Sequence, residues 1–246
     1  MNNTAAIIIP ARYAAQRLPG KPLIPIGNKP LIQWVYERAR QVPGVATVVV
    51  ATDDPRIVKA VQQIGGNAIL TEGNFASGTE RVAYVASQLK FEIIVNLQGD
   101  EPLVDIRGVE QAINWLLEHP EVPVATLGCP LQEENQWHNP NVVKVITNKH
   151  QQALFFTRQP VPFYRDESFH PVSGVFQHVG VYVFRREFLH TYVTLTPAPL
   201  ERVEKLEQWR ILWHGYPLQV IPVSRCEPGV DTPEDVRRME ALLTAK

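Results

Sequence analysis

Short apolar runs rich in β-branched residues alternate with longer segments of helical periodicity through the first half of this chain, and the alternation leaves few folds open to it. The run Ile93-Ile94-Val95 has apolar side chains for both faces of a sheet, which is typical of parallel strands covered by helices. The pattern therefore predicts an α/β fold with a mostly parallel sheet. The predicted strands are 5–10, 47–51, 68–70, 92–97 and 122–127, and the predicted helices are 30–41, 55–64, 78–89 and 105–118.

The pattern changes after Gly128. Two strands at 142–147 and 153–157 are predicted to form a hairpin, and the segment 160–175, rich in proline, charge and aromatics, predicts an excursion. We interpret residues 1–246 as one domain with an inserted subdomain at 129–178, which serves either dimerisation or substrate selection. The remaining predictions are strands at 179–184 and 219–223 and helices near 187–192, at 200–213 and from 233 onward.

The composition excludes several classes of protein. The 24 Lys and Arg residues nearly balance the 25 Asp and Glu residues, so the chain lacks the positive charge of a general nucleic-acid-binding protein. No apolar stretch approaches the roughly 18 to 20 residues that span a bilayer, and the N-terminus lacks the features of a signal peptide. Because Cys129 and Cys226 are far apart and lack metal-binding spacing, we expect free thiols and a cytoplasmic protein.

The loop after the first predicted strand is basic. It runs from Ala11 to Pro22 and contains Arg12, Arg17 and Lys21 but no acidic residue. Ligands of open α/β sheets bind at the carboxyl ends of the strands, where guanidinium, ammonium and backbone N–H groups suit a polyphosphate. Because the loop matches neither a Walker A sequence nor a GxGxxG fingerprint, the pattern favours a triphosphate site of another kind. Solvated loop cations are the alternative interpretation.

Two aspartates are candidate magnesium ligands. Asp100 directly follows the strand 92–97, and Gly99 permits a close backbone approach there. Asp231 precedes the last helix, where Thr232 is the expected N-cap because proline and aspartate occupy the first and third helical positions. Magnesium is commonly held by one or two carboxylates together with phosphates and water. Asp100 and Asp231 are therefore enough to bind magnesium if the fold brings them together. The alternative interpretation is that each aspartate only forms a turn.

The segment Ala76-Ser77-Gly78-Thr79-Glu80-Arg81 has the pattern of a helix start. Capping alone explains Ser77 and Thr79. Arg81, one turn into the helix, either forms a surface ion pair or faces a ligand, and the pattern does not choose between these.

Five sequence motifs, which occur in the same order as in a known family, indicate a resemblance. Ile-Pro-Ala-Arg-Tyr, Arg-Leu-Pro-Gly-Lys-Pro-Leu, Ser-Gly-Thr-Glu-Arg, Asn-Leu-Gln-Gly-Asp-Glu-Pro and Gly-Val-Asp-Thr-Pro-Glu-Asp follow one another between about Ala6 and Leu243. With them the chain resembles the 3-deoxy-manno-octulosonate (Kdo) cytidylyltransferases, the CMP-Kdo synthetases. The resemblance implies a Rossmann-like three-layer α/β/α nucleotide-diphospho-sugar transferase fold. It also implies a homodimer with the hairpin region at the subunit contact, and Mg²⁺-dependent transfer of CMP from CTP to Kdo for lipopolysaccharide synthesis.

The resemblance also implies roles for single residues. Arg12 and Lys21 bind the CTP phosphates and, with Asp100, form the catalytic set, while Asp100 and Asp231 coordinate Mg²⁺. The other implied nucleotide-binding residues are Pro10, Ala11, Arg17, Ser77, Arg81 and Gln98. The implied sugar-binding residues are Arg158, His178, Tyr182, Glu207 and Gln208. An arginine and a histidine suit a substrate that carries a carboxylate, although without the resemblance His178, Tyr182 and Glu207 are ordinary strand, core and helix-surface residues.

The chain departs from the family's usual sequence motifs near the predicted sugar-binding residues. The departures are Tyr-Val-Phe after His-Val-Gly-Val, Arg-Gln-Pro at Arg158, and Arg-Cys-Glu-Pro before Gly229. A cytidylyltransferase for another acidic sugar, such as an amino derivative of Kdo or a sialic acid, is therefore the alternative. A glycosyltransferase on a related fold would present an Asp-x-Asp motif, which does not follow the strand 92–97. An inactive paralogue would have lost phosphate or metal residues that this chain retains.

Overall fold

The computed structural model describes residues 4–14, 18–224, 226–227 and 229–244. The chain forms two compact units, Met1–Glu110 with Glu227–Lys246, and Gln111–Cys226. The predicted insert, 129–178, lies within the second unit. The interpretation of residues 129–178 as a subdomain inserted into a single domain stays a prediction.

The first unit is built on a parallel sheet. Its four strands run in the order β6–β1–β4–β5, and β1 is buried along its whole length. The helices pack on this sheet, α3 against β1 and α2 against β5, so the α/β architecture expected from the sequence is confirmed. The elements are β1 (Ala5–Ala11), the small hairpin β2 (Pro25–Ile26) and β3 (Lys29–Pro30), α1 (Leu31–Ala39), β4 (Val45–Thr52), α2 (Pro55–Gln62), β5 (Asn67–Leu70), α3 (Gly78–Ala86), β6 (Ile93–Leu97) and α4 (Ile106–Glu118), which continues into the second unit.

Local signals explain where the helices of the first unit begin. Asp54 caps α2 by accepting a hydrogen bond from the Arg56 backbone N–H, and Ser77 caps α3 by accepting one from the Glu80 N–H. The parallel strands β1, β4 and β6 end side by side, so the loops that follow them share one edge of the sheet. This edge carries the candidate site.

The second unit is mostly antiparallel. Its strands pair in the order β9–β8–β10–β7–β11, and the β7–β11 pair alone among these is parallel. The predicted hairpin is present as β8 and β9. The elements are β7 (Val124–Pro130), α5 (Glu134–His138), β8 (Lys144–Thr147), β9 (Ala153–Thr157), β10 (Val175–Arg185), α6 (Arg186–Thr194), α7 (Pro199–Glu204), α8 (Trp209–Trp213) and β11 (Leu218–Pro222). The last helix, α9 (Pro233–Thr244), belongs to the first unit.

Two sequence predictions are wrong in the second unit. The helix predicted at 200–213 is two helices, because Lys205 adopts a left-handed conformation with φ of 55°. Cys129 and Cys226, predicted to be free, form a disulfide. The segment after β11 continues beside β7, where the Val223 N–H donates to the Gly128 carbonyl over 2.9 Å, and brings the two cysteine Cα atoms to 6.1 Å.

None of the helices in the described part of the chain is both long and apolar enough to cross a membrane. The expected cytoplasmic location stays a prediction.

Candidate active site

Three residues predicted for phosphate and metal binding meet at one point of the first unit. The Lys21 ammonium donates to Asp100 Oδ2 over 2.5 Å and to Asp231 Oδ1 over 2.9 Å. Burial acts to lower the pKa of Lys21, but the two carboxylates outweigh it and hold this pKa above its ordinary value. The loop after β1, the turn after β6 and the segment before α9 therefore converge on one charged cluster.

Backbone contacts bring the two aspartates together. The Val230 N–H donates to the Asp100 carbonyl over 3.0 Å, one residue before Asp231. A Cβ at Gly229 would lie 3.1 Å from that same carbonyl, so a glycine there permits the close approach. The predicted cap is confirmed, since Thr232 Oγ1 accepts from the Asp235 N–H and Asp235 Oδ2 accepts from the Thr232 N–H. Asp231 is thereby fixed at the start of α9.

The cluster contains a third acidic residue. Burial, with Asp100 and Asp231 adding to it, raises the pKa of Glu101 to about 8, while Lys21 opposes the rise. Glu101 therefore holds its proton to a higher pH than an ordinary carboxyl group does.

The Asp100 and Asp231 carboxylates fit a divalent cation. They already converge on a cation, the Lys21 ammonium. No group of three or more His, Cys, Asp or Glu side chains suited to a metal occurs within the described residues. A magnesium ion would therefore take its remaining ligands from substrate phosphates and water, which is its usual preference.

The predicted nucleotide residues at the sheet edge are close neighbours. A Cβ at Gly78, next to Ser77, would lie 3.3 Å from the Pro10 ring and 3.8 Å from Gln98 Oε1. A Cβ at Gly99 would lie 3.0 Å from the Pro10 carbonyl, so the expected close backbone approach is present. The adjacent residue Ala11 is buried at the end of β1. Ser77 serves as the N-cap of α3, as capping predicts.

Arg81 does not form the surface ion pair that was one of its two expected roles, and the other, facing a ligand, stays a prediction. It is 2% exposed, and its guanidinium donates to Thr71 Oγ1 over 2.5 Å and to Asp53 Oδ2 over 2.8 Å. Its Nε is buried without a protein partner among the described residues. Burial lowers the pKa of Arg81, Asp53 opposes this, and Arg12 adds a lowering by like-charge repulsion. Two guanidiniums thus lie near each other at the sheet edge, an arrangement that favours an anion.

Asp53 links the basic loop to this arginine. Its other oxygen, Oδ1, accepts from the Tyr13 backbone N–H over 3.3 Å. Arg12 donates to the Phe75 carbonyl over 3.0 Å. The loop is also closed on itself, because the Gly20 N–H donates to the Tyr13 carbonyl over 3.0 Å. Arg17 lies outside the described residues.

His178 in the second unit is held as a neutral imidazole. Burial lowers the pKa of His178 to about 3. Its Nε2 lies 2.9 Å from Thr126 Oγ1, whose single proton is directed to the Val181 carbonyl at 2.7 Å. Since Thr126 Oγ1 also lies within hydrogen-bond distance of the Val179 carbonyl, the geometry favours Nε2 as the donor and leaves the lone pair on Nδ1. A neutral imidazole has no positive charge to offer a carboxylate, and the sugar-binding role of His178 stays a prediction.

Tyr182 and Gln208 form a second polar pair in this unit. The Tyr182 hydroxyl donates to Gln208 Oε1 over 3.0 Å, and the ring lies 5.5 Å from that of His178. Burial raises the pKa of Tyr182 well above its ordinary value, and Glu207 adds to the rise. Gln208 Nε2 is buried without a protein partner among the described residues. A donor in this state fits a ligand oxygen.

Arg158 follows β9 and is held by several backbone contacts. Its Nε donates to the Glu204 carbonyl over 2.7 Å and its Nη1 to the Pro140 carbonyl over 2.9 Å. Its main-chain N–H donates to Glu204 Oε2 over 2.6 Å. The structure thus brings His178, Tyr182 and Gln208 together, and places Arg158 just after β9, the strand separated from β10 by β8.

Three residues of these surroundings were missed by the sequence reasoning. Asp53 directly follows β4, so the same search of turns after strands contained the signal for it. Glu101 adjoins Asp100, but its raised pKa depends on burial that no pattern reveals. Lys144 begins β8 and carried no signal.

The parallel sheet with a charged, polar edge at its strand ends is that of an α/β nucleotidyltransferase. A model of the cytidylyltransferase family matches residues 6–221, and the chain belongs to this family. It is 47% identical over 242 residues to a 3-deoxy-manno-octulosonate cytidylyltransferase of Syntrophotalea carbinolica, covering 96% of this chain and 97% of the relative. It is 45% identical over 241 residues to an 8-amino-3,8-dideoxy-manno-octulosonate cytidylyltransferase of Shewanella loihica, with the same two coverages.

A solved structure is also similar. It is described as CMP:2-keto-3-deoxy-manno-octonic acid synthetase complexed with CTP. The two chains are 44% identical, the TM-score is 0.91, and the match covers 97% of this chain and 98% of the other. The sequence resemblance to the CMP-Kdo synthetases is therefore confirmed.

Proposed function

We propose that this chain transfers CMP from CTP to Kdo, releasing pyrophosphate and activating Kdo for lipopolysaccharide synthesis. The observation that carries the proposal is the convergence of Lys21 on Asp100 and Asp231 at the carboxyl ends of the strands. The similarity to relatives named as Kdo cytidylyltransferases supports the choice of substrates.

The nucleotide belongs at the sheet edge of the first unit. Arg12 and Lys21 bind the phosphates, with Arg17 assisting, and the pair of guanidiniums at Arg12 and Arg81 supports an anion there. Base recognition falls to the residues around Pro10 and Ala11, namely Ser77, Arg81 and Gln98. Arg81 enters this role already oriented by Asp53 and Thr71.

Magnesium is the proposed cofactor. Asp100 and Asp231 would hold it, and in this position it would neutralise phosphate charge and withdraw electron density from the α-phosphorus. Lys21, which pairs with both carboxylates, is the cation of this cluster that would also bind a phosphate.

The sugar acid is assigned to the second unit. Arg158 offers guanidinium N–H groups for its carboxylate. Gln208 donates through Nε2, and His178 accepts through Nδ1 while remaining neutral. Tyr182 holds Gln208 in place, and Glu207 accepts from hydroxyl groups.

The reaction is an in-line substitution at phosphorus. The anomeric hydroxyl oxygen of Kdo forms a bond to the α-phosphorus of CTP and its proton is released to water, while the bond from that phosphorus to the bridging oxygen breaks and pyrophosphate leaves. Arg12 and Lys21 stabilise the charge that grows on the phosphate oxygens, an effect typically worth about 3 to 4 kcal/mol of barrier per contact.

The test is pyrophosphate release by the purified protein. Release that requires CTP, Kdo and magnesium together supports the proposal, with UTP, ATP, sialic acid and chelated magnesium as controls. No release with any combination would reject it.

One alternative substrate has a specific observation behind it. Relatives named for 8-amino-3,8-dideoxy-manno-octulosonate are as similar to this chain as several named for Kdo, at 45% and 44% identity. Measuring kcat/KM for both sugars under identical conditions decides between them, since the preferred substrate has the higher ratio.

The proposed assembly is a homodimer formed through the second unit. Apolar side chains are exposed on β9 and α7, among them Leu154 at 58% and Val203 at 77% exposure. Sedimentation of the wild-type protein and of the Leu154→Asp variant tests this. A dimer that dissociates in the variant supports the surface, and a wild-type monomer rejects it.

A further inference from the structure

Lys144, the first residue of β8, is a buried cation without a role in the mechanism above. The residue is 0% exposed, although lysine is among the residue types least often buried. Its ammonium donates three hydrogen bonds, all to backbone carbonyls: Val142 at 2.8 Å, Arg158 at 2.9 Å and Asn139 at 3.0 Å. An ammonium has three N–H donors, so this group is saturated.

The three carbonyls share one relationship to Arg158. One is the carbonyl of Arg158 itself, which fixes its main chain. The other two, Asn139 and Val142, flank the turn whose Pro140 carbonyl accepts from Arg158 Nη1. Lys144 thus holds both the backbone of the arginine and the turn against which its guanidinium rests.

The remaining contacts of Arg158 complete this arrangement. Glu204 accepts from the main-chain N–H through Oε2 and from Nε through its own carbonyl. Among the described residues no partner is present for Nη2. The guanidinium is therefore fixed along one edge, and the Nη2 edge can meet a carboxylate.

The charges of Lys144 and Arg158 also support a ligand-binding role. Burial and repulsion from Arg158, partly opposed by Glu204, lower the pKa of Lys144 to about 8. Two cations held against their mutual repulsion favour an anionic ligand. A hydrophobic core position alone would be filled more favourably by an apolar side chain.

We propose that Lys144 is a positioning residue for the sugar acid: through the Arg158 carbonyl and the turn 139–142, it orients the Arg158 guanidinium toward the substrate carboxylate. This rests on the proposed function, in which Arg158 binds that carboxylate. Lys144 itself touches no substrate.

The test measures KM and kcat for both substrates in the wild type, Lys144→Met, Arg158→Ala and the double variant. We expect Lys144→Met to raise KM for Kdo about tenfold or more, with KM for CTP changed less than about twofold. In the Arg158→Ala background the same substitution should change KM for Kdo less than about twofold, because residues acting as one unit are not additive. Lys149→Met, at an exposed position of the β8–β9 turn, is the matched control.

Other results would overturn the role. An equal rise in KM for CTP, or a full additional loss in the double variant, would make Lys144 merely structural. If Lys144→Met fails to fold, Lys144→Gln, which keeps two donors, is measured in the same way. Wild-type protein that does not use Kdo would contradict the proposed function and this role with it, whereas normal wild-type turnover with unchanged constants in the variants would contradict the role alone.

Discussion

The Lys21 ammonium lies 2.9 Å from the Asp231 carboxylate, although 210 residues separate them in the chain. Asp100 shares the same ammonium at 2.5 Å. One cation therefore pairs with both carboxylates proposed to hold magnesium.

Replacing Lys21 with Met should lower kcat for CMP transfer about a hundredfold to a thousandfold, because a charge that stabilises the transition state is lost. The fold should change little, since the side chain lies at the sheet edge. Pyrophosphate release under saturating substrates measures the effect. Lys59→Met, an exposed lysine on α2, is the control, and equal losses in both variants would contradict the role of Lys21.

Replacing Asp231 with Asn should raise the magnesium concentration for half-maximal activity about tenfold or more, because a neutral amide is a weaker ligand than a carboxylate for a hard cation. Turnover at saturating magnesium should partly recover. A magnesium titration of activity measures this. Asp166→Asn, at a side chain 85% exposed, should leave the titration unchanged, and an unaltered midpoint in Asp231→Asn would rule the ligand out.

Replacing Asp53 with Asn should raise KM for CTP about tenfold and lower the free energy of unfolding by ~1 to 2 kcal/mol, because the buried Arg81 guanidinium loses its charged partner. KM for Kdo should stay within about twofold. Steady-state kinetics and urea unfolding measure the two effects.

The matched control for Asp53 is its neighbour Asp54, which pairs with the largely exposed Arg56 side chain and caps α2. Asn is an equally good N-cap, so Asp54→Asn should change neither quantity appreciably. Similar effects of the two substitutions would mean that the Asp53–Arg81 contact has no special part in CTP binding.

His178 should show no protonation between pH 5 and 8 in NMR spectra, because burial lowers its pKa to about 3. In the unfolded chain the imidazole takes up a proton below about pH 6.5. Its contribution to stability is therefore present above pH 6.5 and is lost as the pH falls from there toward 3, at no more than about 1.4 kcal/mol per pH unit.

Urea unfolding of the wild type and of His178→Gln between pH 7 and 4 measures this slope. The stability of the wild type should fall more steeply, and His150→Gln, at an exposed position, should follow the wild type. A His178 resonance that titrates near pH 6.5 would contradict the buried, neutral imidazole.

Local patterns in the sequence were sufficient for much of the fold. The alternation of apolar runs with helical segments predicted the parallel strands of the first unit, and the cap of α9 at Thr232 was confirmed. Both depend on residues a few positions apart, so periodicity and side-chain chemistry reveal them. The break at Lys205 escaped prediction because no glycine or proline marks it.

The sequence by itself determined the α/β class, the basic loop after the first strand, and the candidate aspartates at strand and helix ends. The tertiary structure decided which charges meet: Lys21 with two distant aspartates, Arg81 with Asp53, and the ammonium of Lys144 with three carbonyls. It also decided that His178 is neutral. Which distant residues pair depends on strand register, and the pKa of a side chain depends on its burial. The spacing of residues along the chain reveals neither the register nor the burial.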